Sequence, residues 1–261
     1  PDSEPEAFRK MGGSRIQFYQ TDNGPCPYRT SGNWVNLAFQ SSLISFDAYT
    51  SLLNQGFRRS GHSIYQPVCN GCSSCIPLRV DVKNFQASRS QRKTWRKNQD
   101  LRIEHRQLRF CAEGFDLYRR YQKHWHQSTD PVTETEYLDF LIASPVNTEM
   151  LYYYSGKRLV GIGWIDVLPD LISSVYFIFE PGKASRRLGI FSLLYEIEYC
   201  RTLKLPWLYL GYWVQDSHKM SYKSEFQPAQ VLRNSQWVPL QQIRASKIEQ
   251  NSSIAKNLHS P

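Results

Sequence analysis

The sequence predicts a mixed α/β protein, and two observations carry that prediction. First, three short apolar runs lie close together between turn residues, which is typical of an antiparallel β-meander. These runs are 150–154, 159–167 and 174–179. Second, an apolar helix at 188–203 leads into a further short apolar run at 207–210, which indicates a buried strand. Strands, a helix and another strand in that order are typical of mixed α/β architecture.

The N-terminal third predicts a small domain that contains most of the cysteines. Residues 1–14 are polar and contain two adjacent glycines, so we expect a loose leader there. Residues 15–86 then form the N-terminal domain. Its predicted elements are a strand near 16–19, a strand at 34–39, a helix at 46–54 that ends before Gly56, and a strand at 78–82.

The larger part of the chain, residues 87–240, forms the second predicted domain. Besides the meander and the helix after it, four further helices are expected there. They are predicted at 90–98, 115–127, 133–141 and 219–226. Residues 241–261 are rich in Ser, Asn and Lys, and we expect them to form a terminal tail, either helical or frayed.

The composition favours a polyanionic partner. The chain has 261 residues and a net charge of +9, so nucleic acid is the leading candidate. Its 16 Tyr, 13 Phe and 7 Trp supply flat faces that suit both a core and stacked bases. No run approaches the roughly 20 apolar residues of a membrane helix, and the first twenty residues lack the apolar core of a secretory signal. We therefore expect a cytoplasmic protein with reduced cysteines and no membrane partner.

A run of three cysteines is the first group that could carry chemistry. Cys69, Cys72 and Cys75 are spaced by two residues, with glycine and serines between them, and Cys26 lies upstream. Four thiolates can hold zinc or an iron–sulfur cluster. The alternative is a structural loop of free thiols, and the spacing favours the metal or cluster only slightly.

A basic helix is the second group. Its cations fall largely on one side at helical spacing, with Trp95 among them. The cations are Arg89, Arg92, Lys93, Arg96 and Lys97. Such a face can bind the phosphates of RNA, and the positive charge of the whole chain supports that interpretation. A merely solvated charged face is the alternative.

The segment after the strand at 207–210 is the third group. The strand ends at Gly211 and is followed by tyrosines, lysines and one aspartate, which can serve as acids, bases and anion ligands. Open α/β sheets place their sites at the carboxyl ends of strands. A capped helix with core tyrosines explains the same pattern equally well from the residues alone.

Five segments, in order along the chain, resemble the arginyl-tRNA–protein transferase family, and more closely its bacterial branch, the aspartate/glutamate leucyltransferases. The segments are Gly56-Phe57-Arg58-Arg59-Ser60-Gly61, Cys69 to Val80 with its three cysteines, Ser88-Arg89-Ser90-Gln91-Arg92, Tyr209-Leu210-Gly211-Tyr212-Trp213, and Lys219-Met220-Ser221-Tyr222-Lys223. The resemblance covers about residues 16 to 238.

This resemblance implies a fold and a reaction. It implies a cysteine-containing N-terminal domain followed by a domain like the GNAT acetyltransferases. It also implies that leucine moves from leucyl-tRNA to the N-terminal α-amine of proteins that begin with Asp or Glu, which marks them for N-degron proteolysis. The transfer itself requires no cofactor. The family's eukaryotic branch implies zinc or an iron–sulfur cluster at Cys26, Cys69, Cys72 and Cys75, and a metal-free pocket lined by these cysteines is the alternative.

Within this reaction, the residues receive the following expected roles. The acceptor amine must lose a proton, which a modest base can take because the pKa of a free α-amine is about 8. The candidates for catalysis are Tyr212, Asp216 and Tyr222, with Asp216 or Tyr212 as the group that receives the proton. The candidates for binding the acceptor are Tyr28, Arg58, Arg79, Lys219 and Lys223. The basic helix is expected to bind the tRNA backbone.

Three other functions compete with this one. The same reaction with arginyl-tRNA needs only a different pocket for the donor side chain. An acetyltransferase that uses acetyl-CoA is suggested by the sequence from Arg186 to Phe191, which partly resembles a pyrophosphate loop, although the bulk of Phe191 is expected to hinder phosphate binding. A non-enzymatic RNA-binding or metal-sensing module is the alternative of another class.

Overall fold

The computed structural model describes residues 7–11, 14–125, 131–215 and 217–243, and it shows a mixed α/β protein with two β-sheets. The smaller sheet has five strands in the order β1-β2-β3-β5-β4. These are β1 (Ala7–Met11), β2 (Ser14–Pro25), β3 (Asn33–Gln40), β4 (Arg58–Ser60) and β5 (Ser63–Pro67). All of its pairings are antiparallel.

The larger sheet has eight strands in the order β13-β12-β6-β11-β10-β9-β8-β7. They are β6 (Ile76–Asp81), β7 (Leu101–Gln107), β8 (Thr148–Ser155), β9 (Arg158–Val167), β10 (Leu171–Phe179), β11 (Trp207–Trp213), β12 (Ala229–Arg233) and β13 (Gln236–Pro239). Within the described residues only β10 and β11 run parallel. A parallel pair needs a crossover connection, and a long helix supplies it.

Five α-helices with both ends in the described part of the chain surround the two sheets, and a further helix begins at Leu240. They are α1 (Phe46–Asn54), α2 (Arg89–Lys97), α3 (Ala112–Trp125), α4 (Glu134–Tyr137) and α5 (Leu188–Thr202). Leu138–Ile142 continues α4 as a π-helix, and Pro181–Arg186 and Ser221–Glu225 are short 3₁₀ segments. Helix α5 is the crossover from β10 to β11, and it is apolar on most sides because it is largely buried.

The core lies on both faces of the larger sheet and between the two sheets. Along β8, Leu151 and Tyr153 face the cluster that contains α5, whereas Met150 and Tyr152 face the cluster that contains α3. This alternation is the period of two expected for a strand buried on both faces. A third cluster joins α1 and the smaller sheet to one end of the larger sheet.

A buried ion pair fastens the two sheets together. Arg59 of β4 donates to both oxygens of Asp166 at the end of β9, at 2.6 and 2.8 Å. Asp166 is 0% exposed and also accepts hydrogen bonds from Tyr49 of α1 and from Thr148 of β8. A buried carboxylate is stable only when it is paired and hydrogen-bonded, so this contact requires both sheets.

The structure corrects two of the expected boundaries. Residues 7–11, expected in a loose leader, form β1 and pair with β2. Strand β6 lies inside the predicted domain 15–86, yet it pairs with β11 and β12 in the larger sheet. Sheet membership therefore changes at the cysteine loop, between β5 and β6, and not near residue 86. Most of the expected tail, residues 244–261, lies outside the described residues.

Among the described residues, no helix has both the length and the apolar character required to cross a membrane.

Candidate active site

Strands β10 and β11 pair with each other only over their first three residues, and beyond that point the sheet between them is interrupted. Their parallel pairing runs from Leu171 and Trp207 only as far as Ser173 and Tyr209. At that point β10 has an irregular register with β9, and β11 has one with β6. Beyond it, the facing backbone groups of the two strands no longer pair with each other and need other partners. We call this space the β10–β11 cleft.

Two cations from other elements bind the carbonyl groups that face this cleft. Arg58 of β4 donates from Nη1 to Oγ of Ser173 at 3.0 Å and from Nη2 to the carbonyl oxygen of Ser174 at 2.5 Å. Lys223 donates from Nζ to the carbonyl oxygen of Tyr212 at 2.8 Å. The smaller sheet and the 3₁₀ segment after β11 therefore both contribute to the walls of the cleft.

Gly211 allows the guanidinium of Arg58 to lie close to β11. The residue has φ +75°, a left-handed backbone conformation that favours glycine. A Cβ added there would lie 3.3 Å from Nε of Arg58. The side chain of Arg58 is only 8% exposed, so it has little room to move aside. The glycine at the end of the predicted strand thus permits close contact between β11 and a buried cation.

Lys223 has the most strongly altered acid–base chemistry of the cations in the cleft. Burial, together with the nearby charge of Arg58, lowers the pKa of Lys223 to about 7, although Cys75 acts in the opposite direction. Burial and a like charge both disfavour the ammonium form. A large share of Lys223 is therefore neutral near pH 7, and a neutral amine can accept a proton.

The tyrosines expected at the site lie around these cations. Tyr212 donates its hydroxyl hydrogen to the carbonyl oxygen of Gly56 at 2.7 Å, and burial raises its pKa well above the usual value. Burial likewise raises the pKa of Tyr222. Tyr28 lies near Tyr65 and Cys75, and burial followed by these neighbours raises its pKa to about 12. Tyr212 thus holds strands together, and this geometry does not favour it as the proton acceptor.

The four predicted metal ligands lie near one another, but each thiol has its own environment. Cys69 accepts a hydrogen bond from the backbone of Val35, and Cys72 accepts one from Arg29. Burial and the other three thiols raise the pKa of Cys75 to about 11. In the described part of the chain, no three Cys, His, Asp or Glu side chains are arranged to hold one metal ion. The thiols as placed do not fit a bound ion, and the zinc or cluster stays a prediction.

The guanidinium of Arg79 is already engaged by aromatic rings and hydrogen bonds. Its guanidinium stacks between the rings of Trp207 and Trp237, with Cζ 3.9 and 4.3 Å from their centroids. It also donates to Tyr209 and Gln230 at 2.8 and 2.6 Å. These contacts favour a structural role, and the predicted role of Arg79 in acceptor binding is untested.

Two further candidates receive little support from the structure. The side chain of Lys219 is exposed, whereas Lys223, four residues later, faces the cleft. Asp216 lies outside the described residues, so its expected role as a base stays a prediction.

The five expected RNA-binding cations are all exposed on helix α2. The opposite face of the helix is buried through Gln91, Thr94 and Asn98. The capping box between Ser88 and Gln91 begins the helix, and Gln91 also donates to the carbonyl oxygen of Glu225 at 3.2 Å. Because Glu225 ends the 3₁₀ segment that carries Lys223, the buried face of α2 packs next to that segment.

The basic surface extends beyond α2 to the loop before α5. Arg187 donates to Ser90 at 2.6 Å, and Lys97 donates to the carbonyl oxygen of Ser185 at 2.8 Å. The ring of Phe191 is buried against the rings of Trp95 and Tyr153, and the expectation that its bulk hinders phosphate binding at this loop stays a prediction.

Sequence reasoning did not identify Ser173, Ser174 and Glu196. A pair of serines inside the apolar strand β10 was the available signal, because a polar pair in a buried strand requires partners. Glu196 gave no comparable signal, since a glutamate in a helix is usually exposed. It is 0% exposed.

The chain is similar to one family over most of its length. It matches "Arginine-tRNA-protein transferase, N terminus" at residues 24–93 and "Arginine-tRNA-protein transferase, C terminus" at residues 113–233. A protein of Nitrosococcus oceani named aspartate/glutamate leucyltransferase is 39% identical over 226 residues, which cover 85% of this chain and 95% of the relative. A protein of Hahella chejuensis with the same name is 37% identical over 228 residues, covering 86% and 97%.

Two solved structures show distant similarity. L-PGS from Bacillus licheniformis gives a TM-score of 0.45 at 13% identity, with coverage of 63% of this chain and 58% of that chain. FemX gives a TM-score of 0.42 at 8% identity, with coverage of 78% and 81%.

Proposed function

This chain belongs to the arginine-tRNA–protein transferase family and is a transferase, and we propose that it moves leucine from leucyl-tRNA to the N-terminal α-amine of proteins that begin with Asp or Glu. The product would carry an N-terminal leucine and enter N-degron proteolysis. The observation that carries the proposal is the convergence of Arg58 and Lys223 at the β10–β11 cleft, next to the basic helix α2.

The proposal assigns two structural units to the chain. The larger sheet, with its β10-α5-β11 crossover, would be the GNAT-like transferase unit. The parallel pair of β10 and β11, whose pairing ends at Ser173 and Tyr209, supports this assignment because the cleft can admit the end of a substrate. The smaller sheet and the cysteine loop would form the N-terminal cysteine-containing unit that binds the acceptor.

The proposed reaction is aminolysis of an ester. The α-nitrogen of the acceptor attacks the carbonyl carbon of leucyl-tRNA, a C–N bond forms, and the bond from that carbon to the 3′ ribose oxygen breaks. One proton leaves the amine and one is needed by the departing oxygen. Neutral Lys223 would accept the first proton and return it to the ribose oxygen, while Nζ still donates to Tyr212.

Arg58 would attract the side-chain carboxylate of the acceptor. Its two Nη atoms are bound to β10, which fixes the guanidinium and leaves the Nε edge beside Gly211. A fixed guanidinium suits a carboxylate because the side chain loses its conformational entropy on folding rather than on binding. Tyr28 and Lys219 are retained as proposed acceptor contacts, and Tyr222 as a proposed contact to the reacting groups.

The character of the cleft favours leucine over arginine as the donor side chain. Beyond the point of separation, β10 carries the aromatic residues Tyr176, Phe177 and Phe179. The charged side chains described at the cleft are the cations Arg58 and Lys223. An aromatic, cationic surrounding stabilises an apolar side chain and repels a guanidinium. Arginyl-tRNA is the second candidate donor, and it is tested in the same assay.

A transfer assay tests the proposed function. Radiolabelled leucyl-tRNA and arginyl-tRNA are supplied separately with peptides that begin with Asp, Glu or Asn. The Asn peptide has nearly the shape of the Asp peptide without its charge, so it isolates the carboxylate. We expect leucine on the Asp and Glu peptides only. Arginine on the same peptides would change the donor, and no transfer to any peptide would contradict the function.

The basic helix α2 should govern the salt dependence of tRNA binding. Changing Arg92, Lys93 and Arg96 together to glutamine removes three exposed cations without touching the buried face. We expect the slope of log affinity against log salt to fall in magnitude by about 2–3, because each lost phosphate contact releases about one counterion fewer. Lys157→Gln, an exposed turn residue, is the matched control. An unchanged slope in the triple variant would exclude α2 from the interface.

A further inference from the structure

A buried carboxyl group lies in helix α5 behind the cleft. Glu196 is 0% exposed, and among the described residues neither of its side-chain oxygens has a hydrogen-bond partner. Its helical neighbour Glu198 is exposed and paired with Arg201, as glutamates usually are. Burying an unpaired carboxylate costs several kcal/mol. A buried glutamate without a partner is therefore expected to be the neutral acid or to have a functional role.

The polar groups around Glu196 come from three other elements, and one further group lies on its own helix. They are the Ser174 hydroxyl of β10, the Tyr153 hydroxyl of β8, the Tyr222 hydroxyl of the 3₁₀ segment, and the Cys200 thiol of α5. None of these groups carries a positive charge. The Tyr153 hydroxyl is itself buried without a partner.

Two of these neighbours are part of the cleft. Ser174 is the residue whose carbonyl oxygen accepts from Arg58, and Tyr222 precedes Lys223. Glu196 is therefore coupled electrostatically to one polar group in each cation-bearing wall, so a change in its charge acts on both walls.

The protonated and the ionised forms of Glu196 would interact differently with these hydroxyl groups. A protonated carboxyl both donates and accepts hydrogen bonds, so it can bridge two hydroxyls. A carboxylate only accepts, and it also needs solvation that a sealed apolar site does not offer. Burial, opposed slightly by Ser174, raises the pKa of Glu196 to about 8.

We propose that Glu196 is a positioning residue of the transfer reaction, that its neutral, protonated form leaves Ser174 and Tyr222 undisturbed in the walls of the cleft, and that the negative charge formed by loss of the proton disturbs both walls. This role rests on the function proposed above. Activity then rises as Lys223 loses its proton near pH 7 and falls again as the pH rises past about 8.

The test compares Glu196→Gln with wild type, and uses Glu198→Gln as the matched control. Glutamine keeps a donor and an acceptor in the same place but cannot ionise. Single-turnover leucine transfer is measured from pH 6 to about 9.5, with spontaneous deacylation of leucyl-tRNA subtracted. We expect wild type and Glu198→Gln to lose rate about tenfold per pH unit above the transition, and Glu196→Gln to stay level.

A readout without activity accompanies the rates. In wild type the unfolded chain releases the Glu196 proton above pH 4.5, whereas the folded chain keeps it to about pH 8. Folding stability must therefore decline across that interval relative to Glu196→Gln, and the urea midpoint of the variant should rise above that of wild type. Infrared spectra should show a protonated carboxyl C=O band at neutral pH that the variant lacks.

The possible results separate the two proposals. If wild type transfers leucine and its rate falls with pH in the same way as that of Glu196→Gln above the transition, only the positioning role is overturned. No transfer by wild type at any pH overturns the proposed function and the positioning role with it. Equal urea midpoints across the interval show that Glu196 is ionised in the folded protein, which also overturns the inference.

Discussion

Changing Lys223 to methionine is expected to lower the rate of leucine transfer by about a hundred- to ten-thousand-fold, the range for a lost general base. Methionine preserves the length of the side chain but has no group that takes a proton. Because burial and Arg58 lower the pKa of Lys223 to about 7, wild-type activity should rise with pH through that value. The measurement is the single-turnover rate against pH at saturating acceptor peptide.

Two comparisons show whether the proton or the charge of Lys223 matters. Lys223→Arg keeps a cation but cannot lose its proton, so a role as base predicts that it is as inactive as the methionine variant. Lys157→Met changes an exposed lysine and should keep full activity. Substantial activity in Lys223→Arg would show that Lys223 acts as a fixed cation for the acceptor carboxylate instead.

Changing Asp166 to asparagine is expected to destabilise the fold by about 3–5 kcal/mol, because it leaves the buried guanidinium of Arg59 without its counterion. The carboxylate accepts hydrogen bonds from Arg59, Tyr49 and Thr148, and asparagine can satisfy only some of them. The measurement is the midpoint of urea unfolding at constant pH.

The matched control for this stability loss is Asp116→Asn. Asp116 also pairs with an arginine, Arg119, but both side chains are more than half exposed, at 54% and 56%. An exposed pair contributes about 0–1 kcal/mol, so the control should unfold close to wild type. Similar midpoints for the two variants would mean that the buried pair contributes little to joining the sheets.

Elements specified by local sequence were predictable. Helix α1 was expected at 46–54, and the structure places it at Phe46–Asn54. Ser45 caps its start through a hydrogen bond to the backbone of Ala48, and the buried positions Tyr49, Leu52 and Leu53 follow helical spacing. The three strands of the meander were also predicted in the correct order, since apolar runs between turn residues are typical of strands.

Elements that depend on distant partners were not predictable in the same way. Strands β4 and β7 were missed, because one has three residues and the other alternates charged with apolar side chains. The properties of Lys223 depend on Arg58, which precedes it by more than half the chain. No window of sequence contains both residues, so the motif pointed to the segment that carries Lys223 but not to Lys223 as a proton acceptor.

Strand β6 has a consequence for the synthesis of the protein. It is made early, but both of its neighbours in the larger sheet, β11 and β12, are made late. Until the ribosome has added residues 229–233, the apolar side chains of Leu78 and Val80 have no complete sheet to enter. Contacts this distant in sequence form slowly, and unpaired apolar strands aggregate. We therefore expect a nascent chain that ends before β12 to expose these apolar side chains, and a prematurely terminated chain to aggregate rather than to form a partial enzyme.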